Sequence, residues 1–127
     1  AGNGSDEILK VDLNKWEIAD RVKTGKGPYN LEVSPDGKYL LASIKGEGKT
    51  GVWMLNDLTF VKNINNSGSV SHGVTISPDS KFAFVSLEGV GGDPGIVDVI
   101  SLKSLKVVSS VKVGKQAGGI AFWKIED

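Results

Sequence analysis

Two similar segments, 43 positions apart, restrict the possible folds of this chain more than any other feature. Residues 25–43 have the sequence GKGPYNLEVSPDGKYLLAS, and residues 68–86 align with them without a gap as GSVSHGVTISPDSKFAFVS. A third copy begins at residue 114 as GKQAGGIAFWKIED, after a longer period of 46 to 47 residues. A repeat of this length indicates that one supersecondary unit is copied along the chain and stacked on its neighbours.

Each repeat contains four short runs of strand-like composition. In the first copy these runs are YNLEV, KYLLAS, GVWML and FVKNI, separated by polar or glycine-containing turns. The SPDG sequence at residues 34–37 places proline, aspartate and glycine where a tight turn favours them. No segment shows apolar residues at helical spacing over ten residues, so we predict essentially no helix. Four antiparallel strands per repeat are typical of a β-propeller blade.

The strand order predicts an all-β fold, a β-propeller of about three four-stranded antiparallel blades. Its predicted parts are a partial blade at 1–24, blades at 25–67 and 68–113, and a closing first strand in 114–127, centred on 119–123. Propellers close with about four to eight blades. We therefore expect a partial ring, either the C-terminal part of a longer chain or one of several copies that form a ring together.

Composition removes several classes of function. The 127 residues include 15 basic and 15 acidic side chains, so no net charge attracts nucleic acid or an anionic membrane surface. No apolar stretch reaches the length of a membrane span. The absence of cysteine excludes disulfides and thiolate metal sites. We expect neither nucleic acid nor a membrane span among the partners of this chain, and no cofactor.

Four polar residues form the candidate ligand site. His72, the single histidine, precedes the innermost strand of its blade, near one mouth of the expected central channel. Tyr29 holds the equivalent place one repeat earlier, and Asn30 and Glu32 follow it. An imidazole there could serve as a general base or a metal or haem ligand, although one histidine alone makes no zinc site. The alternative is a structural histidine, hydrogen-bonded to the next blade.

The loop 87–95, with the sequence LEGVGGDPG, carries a candidate cation site. Glu88 and Asp93 are two carboxylates in a glycine-rich segment, and calcium takes such oxygen ligands together with backbone carbonyls. The loop lacks the alternating carboxylates of well-known calcium loops. Its alternative role is a protruding hairpin extension that contacts a partner.

The three tryptophans fall at different positions of the repeat. Trp16 lies between the strands of the partial blade, Trp53 in a third strand, and Trp123 after the last first strand. We expect all three to pack between blades.

The segments PYNLEVSPDGKYLLAS, SHGVTISPDSKFAFVS and GIVDVISLKSLKVVSSVKVG resemble the YVTN-type propeller repeat of bacteria and archaea. The resemblance covers nearly the whole chain. Two departures are visible: Ile44 and Leu87 replace the final asparagine of the namesake motif, and Ser80 replaces glycine in the second SPD turn. Relatives of this repeat include cell-surface and surface-layer-associated proteins, periplasmic proteins, lactonase-like enzymes and propellers that support haem or quinone redox partners.

The resemblance implies a periplasmic or cell-surface propeller, but fold does not select among these functions. No local set of catalytic residues is recognisable, so we expect a binding or scaffold module rather than an enzyme. Such a module would present its loops and channel mouth to a protein, a glycan or a small ligand, and its other partner would be the rest of the ring. The alternative is a lactonase-like or haem- and redox-associated enzyme, with His72 and Tyr29 at its site.

Overall fold

The computed structural model describes residues 1–126, which form ten short antiparallel strands. In chain order they are β1 (Glu7–Asp12), β2 (Glu17–Lys23), β3 (Pro28–Val33), β4 (Tyr39–Ile44), β5 (Lys49–Met54), β6 (Phe60–Asn65), β7 (Ser71–Ile76), β8 (Phe82–Leu87), β9 (Ile96–Ser101) and β10 (Lys106–Lys112). A 3₁₀ turn at Lys45–Glu47 is the sole helical element of this part of the chain. The prediction of essentially no helix is confirmed.

The strands form three sheets in which each strand pairs with the one before it. β1 and β2 make a two-stranded ribbon, β3 to β6 make a four-stranded sheet, and β7 to β10 make a second four-stranded sheet. We call the four-stranded sheets blade A (β3–β6) and blade B (β7–β10). All pairings are antiparallel. The predicted all-β fold of four-stranded antiparallel blades is confirmed.

Blade A packs on both of its faces through its two middle strands, β4 and β5. Leu41 in β4 packs in a cluster shared with blade B, while its neighbours Leu40 and Ala42 pack in a cluster shared with the β1–β2 ribbon. The first cluster holds Leu41, Val52, Ile64, Val74, Ile76, Ala83, Val85, Leu87, Ile100 and Leu102. The second holds Ile8, Leu40, Ala42, Ile44, Trp53 and Leu58. Because successive side chains of a strand point to opposite faces, one strand serves both neighbours.

The two SPD segments form the same hydrogen-bonded turn. The Ser34 hydroxyl donates to Asp36 Oδ1 at 2.6 Å and accepts the Tyr39 N–H at 2.8 Å. The second copy repeats both bonds among Ser77, Asp79 and Phe82, at 2.6 and 3.0 Å. In each turn, two hydrogen bonds lower the pKa of the aspartate. The bond from the serine hydroxyl contributes most, and the bond from the backbone N–H two residues after the aspartate contributes next. The motif is therefore a structural connection between the first two strands of each blade.

The departure of the second turn from SPDG has a physical cost and a compensation. Gly37 adopts φ +71°, and Ser80 holds the equivalent place at φ +55°, a region that a side chain disfavours. The Ser80 hydroxyl accepts the backbone N–H of Asp36 in the other turn at 3.0 Å. The serine thus links the two turns across the contact between blades, which glycine could not do.

The structure corrects the prediction of a strand at 119–123. Residues 113–126 contain no strand, and Asp127, the last residue of the predicted 114–127 element, lies outside the described residues. No second strand of the same blade is present among residues 1–126, so the backbone of this segment has no ladder partner. The domain boundaries themselves stay predictions.

The tryptophan prediction was right for one residue of three. Trp53 is 1% exposed and packs in the cluster between blade A and the ribbon. Trp16 is 80% exposed and Trp123 is 87% exposed, so neither packs between blades among residues 1–126. Trp16 lies at φ +55° in the turn between β1 and β2, where the chain turns away from the sheet.

Candidate functional site

The equivalent strands β3 and β7 each begin with a β-bulge. The pairing register shifts over residues 28–31 in β3 and over residues 71–74 in β7. A bulge leaves a residue without a ladder partner and re-aims its side chain. Tyr29 and Asn30 lie in the first bulge and His72 lies in the second. Three of the four predicted ligand-site residues therefore owe their positions to an irregularity that both blades share, whereas Glu32 is paired with Leu41 in the regular part of β3.

A buried serine fixes each bulge to the next inner strand. The Ser43 hydroxyl accepts the Asn30 N–H at 2.9 Å and donates to the carbonyl of His72 in blade B. Ser86 repeats these contacts with Gly73 N–H at 2.9 Å and the carbonyl of Gly118. Each serine thus satisfies a backbone group that the bulge leaves unpaired and joins it to the neighbouring repeat.

Tyr29 and His72 meet in a cluster with Lys45 and Glu88, which we call the bulge cluster. Glu88 Oε1 lies 2.9 Å from Lys45 Nζ and 3.1 Å from His72 Nε2. The Tyr29 ring centroid is 4.4 Å from that of His72 and 4.6 Å from Lys45 Nζ, within cation–π range. One carboxylate and one aromatic ring therefore hold the lysine and the histidine together across the contact between blades A and B.

Only one of the two ring nitrogens of His72 has a hydrogen-bond partner among the described residues. Its Nε2 lies at hydrogen-bond distance from Glu88, whereas its Nδ1 is buried and has no hydrogen-bond partner among the described residues. A neutral imidazole that donates from Nε2 carries its lone pair on Nδ1. Neither nitrogen is therefore both free and exposed in this arrangement, and the role of His72 as a ligand or base stays a prediction.

Asn30 and Glu32, the other two predicted site residues, belong to a separate groove. It has a volume of about 600 Å³ and lies between β3, β7 and residues 120–123. Asn30 Oδ1 accepts the N–H of Val74 across the blades at 3.3 Å. Partial burial raises the pKa of Glu32. The structure thus brings Tyr29 and His72 together and places Asn30 and Glu32 along the inner strands.

The two carboxylates of the candidate cation site have different surroundings. The Glu88 carboxylate contacts Lys45 and His72, whereas Asp93 is exposed in the loop that follows. Among residues 1–126, no group of three or more histidine, aspartate or glutamate side chains is arranged to hold a metal ion. The geometry therefore adds no support to the calcium prediction.

Lys45 is the member of the bulge cluster that sequence reasoning missed. It lies 43 positions before Glu88, so the two residues occupy equivalent places in the two repeats. Opposite charges at equivalent positions of stacked repeats come close to one another when the repeats pack side by side. Comparing charges along the aligned copies would have revealed this pair.

A second polar network joins the outer parts of the blades. Asp98 in β9 is fully buried, and its carboxylate accepts the Ser67 N–H at 2.8 Å, the Asn66 amide at 3.2 Å and the Ser110 hydroxyl at 2.6 Å. The Asn66 Oδ1 in turn accepts hydroxyl bonds from Thr50 and Ser71, each at 3.0 Å. A buried carboxylate is tolerated when its oxygens are satisfied in this way. The network is structural, since its groups are occupied by one another.

Neither a family model nor a curated protein sequence matches the chain. Solved structures do. Hydrazine synthase of Kuenenia stuttgartiensis matches with a TM-score of 0.84 and 28% identity over 88% of this chain and 32% of that one. A functionally unknown protein from Desulfotomaculum acetoxidans matches with a TM-score of 0.74 and 16% identity, over 90% and 38% of the two chains. U3-55K matches with a TM-score of 0.75 and 13% identity, over 88% and 35%.

The sheets and these neighbours together define the class. The chain is a β-propeller module with two complete four-stranded blades among its described residues. It spans about a third of the length of each of these three solved chains. Among residues 1–126, no helical segment has the length and the apolar composition that a membrane-spanning helix requires.

Proposed function

We propose that the chain is part of a YVTN-type propeller that works outside the cytoplasm as a binding or scaffold module. The observation that carries this proposal is the bulge cluster. The exposed fraction of the side chain is 19% for His72, 28% for Glu88 and 31% for Lys45. Tyr29 is 46% exposed. They form a fixed, partly open surface at the junction of two blades.

The internal bonds of the cluster favour binding over catalysis. Glu88 already engages both Lys45 and His72, so the charges neutralise one another. A catalytic site needs a base or nucleophile with a free, correctly directed atom, and Nδ1 of His72 is buried. The exposed edge of the Tyr29 ring offers apolar contact to a glycan or a protein side chain.

A panel of immobilised glycans tests this proposal with defined ligands. We expect the chain to retain a restricted set of glycans, and we expect Tyr29→Ala to lose them while Lys15→Met, an exposed change in the β1–β2 turn, keeps them. Tyr29 is half exposed, so its replacement leaves the buried clusters intact. Retention of no glycan, or equal retention by Tyr29→Ala, would contradict a glycan-binding role for the cluster.

The other partner of the proposed module is the rest of its ring. β1 has no strand on its inner side among residues 1–126, and residues 113–126 lie against blade B with no strand of their own. Further blades or further copies of the chain would cover these edges. Light scattering in solution separates the two arrangements, because assembly from copies gives a multiple of the 13.4 kDa chain mass.

An enzyme-associated role is the second candidate, favoured by the likeness to hydrazine synthase at 28% identity. In this proposal the module belongs to a redox or lactone-hydrolysing enzyme, and His72 contributes to its site. Hydrazine formation and lactone hydrolysis, assayed with the protein and its natural partners, test it. We expect His72→Ala to abolish activity if this role holds; unchanged turnover in that variant, or no turnover in the wild type, would remove it.

A further inference from the structure

The two SPD turns border a cavity that is separate from the bulge cluster. Its volume is about 450 Å³, within the usual range for small-molecule sites. One turn supplies Lys38 and Tyr39 from blade A, and the other supplies Lys81 and Phe82 from blade B. The β9–β10 turn closes a further side with Lys103. The cavity therefore lies where two copies of the motif meet.

Aromatic rings and aliphatic chains form most of its walls. Tyr39 and Phe82 are equivalent residues, each directly after its turn, and both face the cavity. Phe82 is 38% exposed although it begins a strand of blade B, so part of its ring is open to a ligand. A flat apolar ring would bury this surface against both side chains.

Three lysines surround this apolar floor. Lys38 and Lys103 have no carboxylate within ion-pair distance among residues 1–126, and Lys38 Nζ lies 4.8 Å from the Tyr39 ring centroid. Lys81 pairs with Asp79 at 3.2 Å, but its side chain is 72% exposed, where ion pairs are weak and exchange readily. Lys103 therefore offers an anion an ammonium group that no carboxylate of the described residues neutralises, and Lys38 and Lys81 offer ammonium groups that the nearby aspartates neutralise only in part.

Asp36 is the one acidic group in the wall, and its carboxylate is directed into its own turn. It accepts the Ser34 hydroxyl at 2.6 Å and the Lys38 N–H at 3.0 Å. Its N–H donates to the Ser80 hydroxyl at 3.0 Å, which fixes the spacing of the two turns. The strained serine in the second motif thus helps to shape the cavity.

We propose that this cavity binds a small molecule in which an acidic group, such as a carboxylate, is attached to a flat apolar ring. The ring would lie between Tyr39 and Phe82, and the acidic group would face the lysines. The proposal does not depend on the glycan or enzyme roles above, because none of their residues lines the cavity.

The test compares 2-naphthoate with its neutral counterpart 2-naphthamide, added to the ¹⁵N-labelled chain and followed by amide chemical shifts. We expect naphthoate to shift the signals of residues 80–82 and 101–103, and to bind about five- to tenfold more tightly than naphthamide. The preference should shrink with added salt, because the lysines are exposed. The cavity has room for either probe, so the comparison isolates the charge.

Matched lysine variants complete the test. Lys103→Met keeps the apolar chain and removes a charge that takes part in no ion pair of the described residues, so we expect about two- to fivefold weaker naphthoate binding. Lys15→Met, an exposed control far from the cavity, should bind as the wild type does. Shifts confined to other residues, equal affinity for the two probes, or no binding up to the solubility limit of naphthoate would each overturn the proposal.

Discussion

The chain contains two contacts between repeats that share a serine hydrogen bond but differ in whether a strand follows it. In the first, between blades A and B, Ser43 donates to the carbonyl of His72, which belongs to the paired strand β7. In the second, between blade B and residues 113–126, Ser86 donates in the same way to the carbonyl of Gly118, but no strand follows. The serine bond is therefore common to both contacts, and the strand is not.

This difference separates two requirements for an inner strand. The neighbouring blade sets its position, through the serine and through side-chain packing such as that of Phe84 against Phe122. The ladder itself needs the second strand of the strand's own blade. Residues 118–123 are positioned by the neighbouring blade, but the second strand of their own blade is missing among the described residues. Position and strand formation are thus independent properties in this fold.

Apolar truncations should show the largest contrast between the two contacts. Leu41 is fully buried between the blades, so Leu41→Ala should lower the free energy of unfolding by about 2–5 kcal/mol. Ile120 is only half-buried, and Ile120→Ala should cost less than about 1.5 kcal/mol. Urea denaturation measures both, with the exposed Val108→Ala as a control. Similar losses for Leu41→Ala and Ile120→Ala would mean that the second contact is packed as firmly as the first.

Alanine variants of the two serines should affect different parts of the chain, although each variant removes the same kind of hydrogen bond. Ser43→Ala leaves part-buried backbone groups of both blades unpaired, and we expect it to destabilise the whole fold by about 1–3 kcal/mol. Ser86→Ala also removes a bond to Gly73, but its distinctive effect should be faster hydrogen exchange at 118–123, by about tenfold. Ser109→Ala on exposed β10 is the control. Unchanged exchange at 118–123 in Ser86→Ala would show that the serine does not hold the segment.

Ser80 should give the smallest effect, since it supplies a link that only the first contact has. Ser80→Ala removes the bond from Asp36 and keeps the unfavourable φ, so it should cost about 0.5–1.5 kcal/mol. Ser80→Gly loses the same bond but relieves the backbone, and its stability should stay within about 0.5 kcal/mol of the wild type. Thermal unfolding compares the pair. A glycine variant less stable than the alanine variant would exclude backbone strain at this position.

The repeat made most of the fold predictable, because its turns and alternating strands are local properties. The SPD turns, the four-stranded blades and the near absence of helix all follow from residues close together in the chain. The failures concern contacts that a single repeat does not determine. Residues 119–123 form no strand because the second strand of their own blade is absent among residues 1–126, and Trp16 is exposed in its turn. Lys45 was not predicted as a site residue because its partner lies a full repeat away in the chain.

Nuclear Overhauser effects between the rings of Phe84 and Phe122 test whether a neighbouring blade alone positions the segment that corresponds to the next inner strand. Their centroids are 6.2 Å apart across the second contact. We predict clear ring-to-ring cross-peaks, together with an absence of strand-type cross-peaks at residues 119–123. Random-coil shifts for 118–126 with no contact to Phe84 would show that the neighbouring blade does not position this segment.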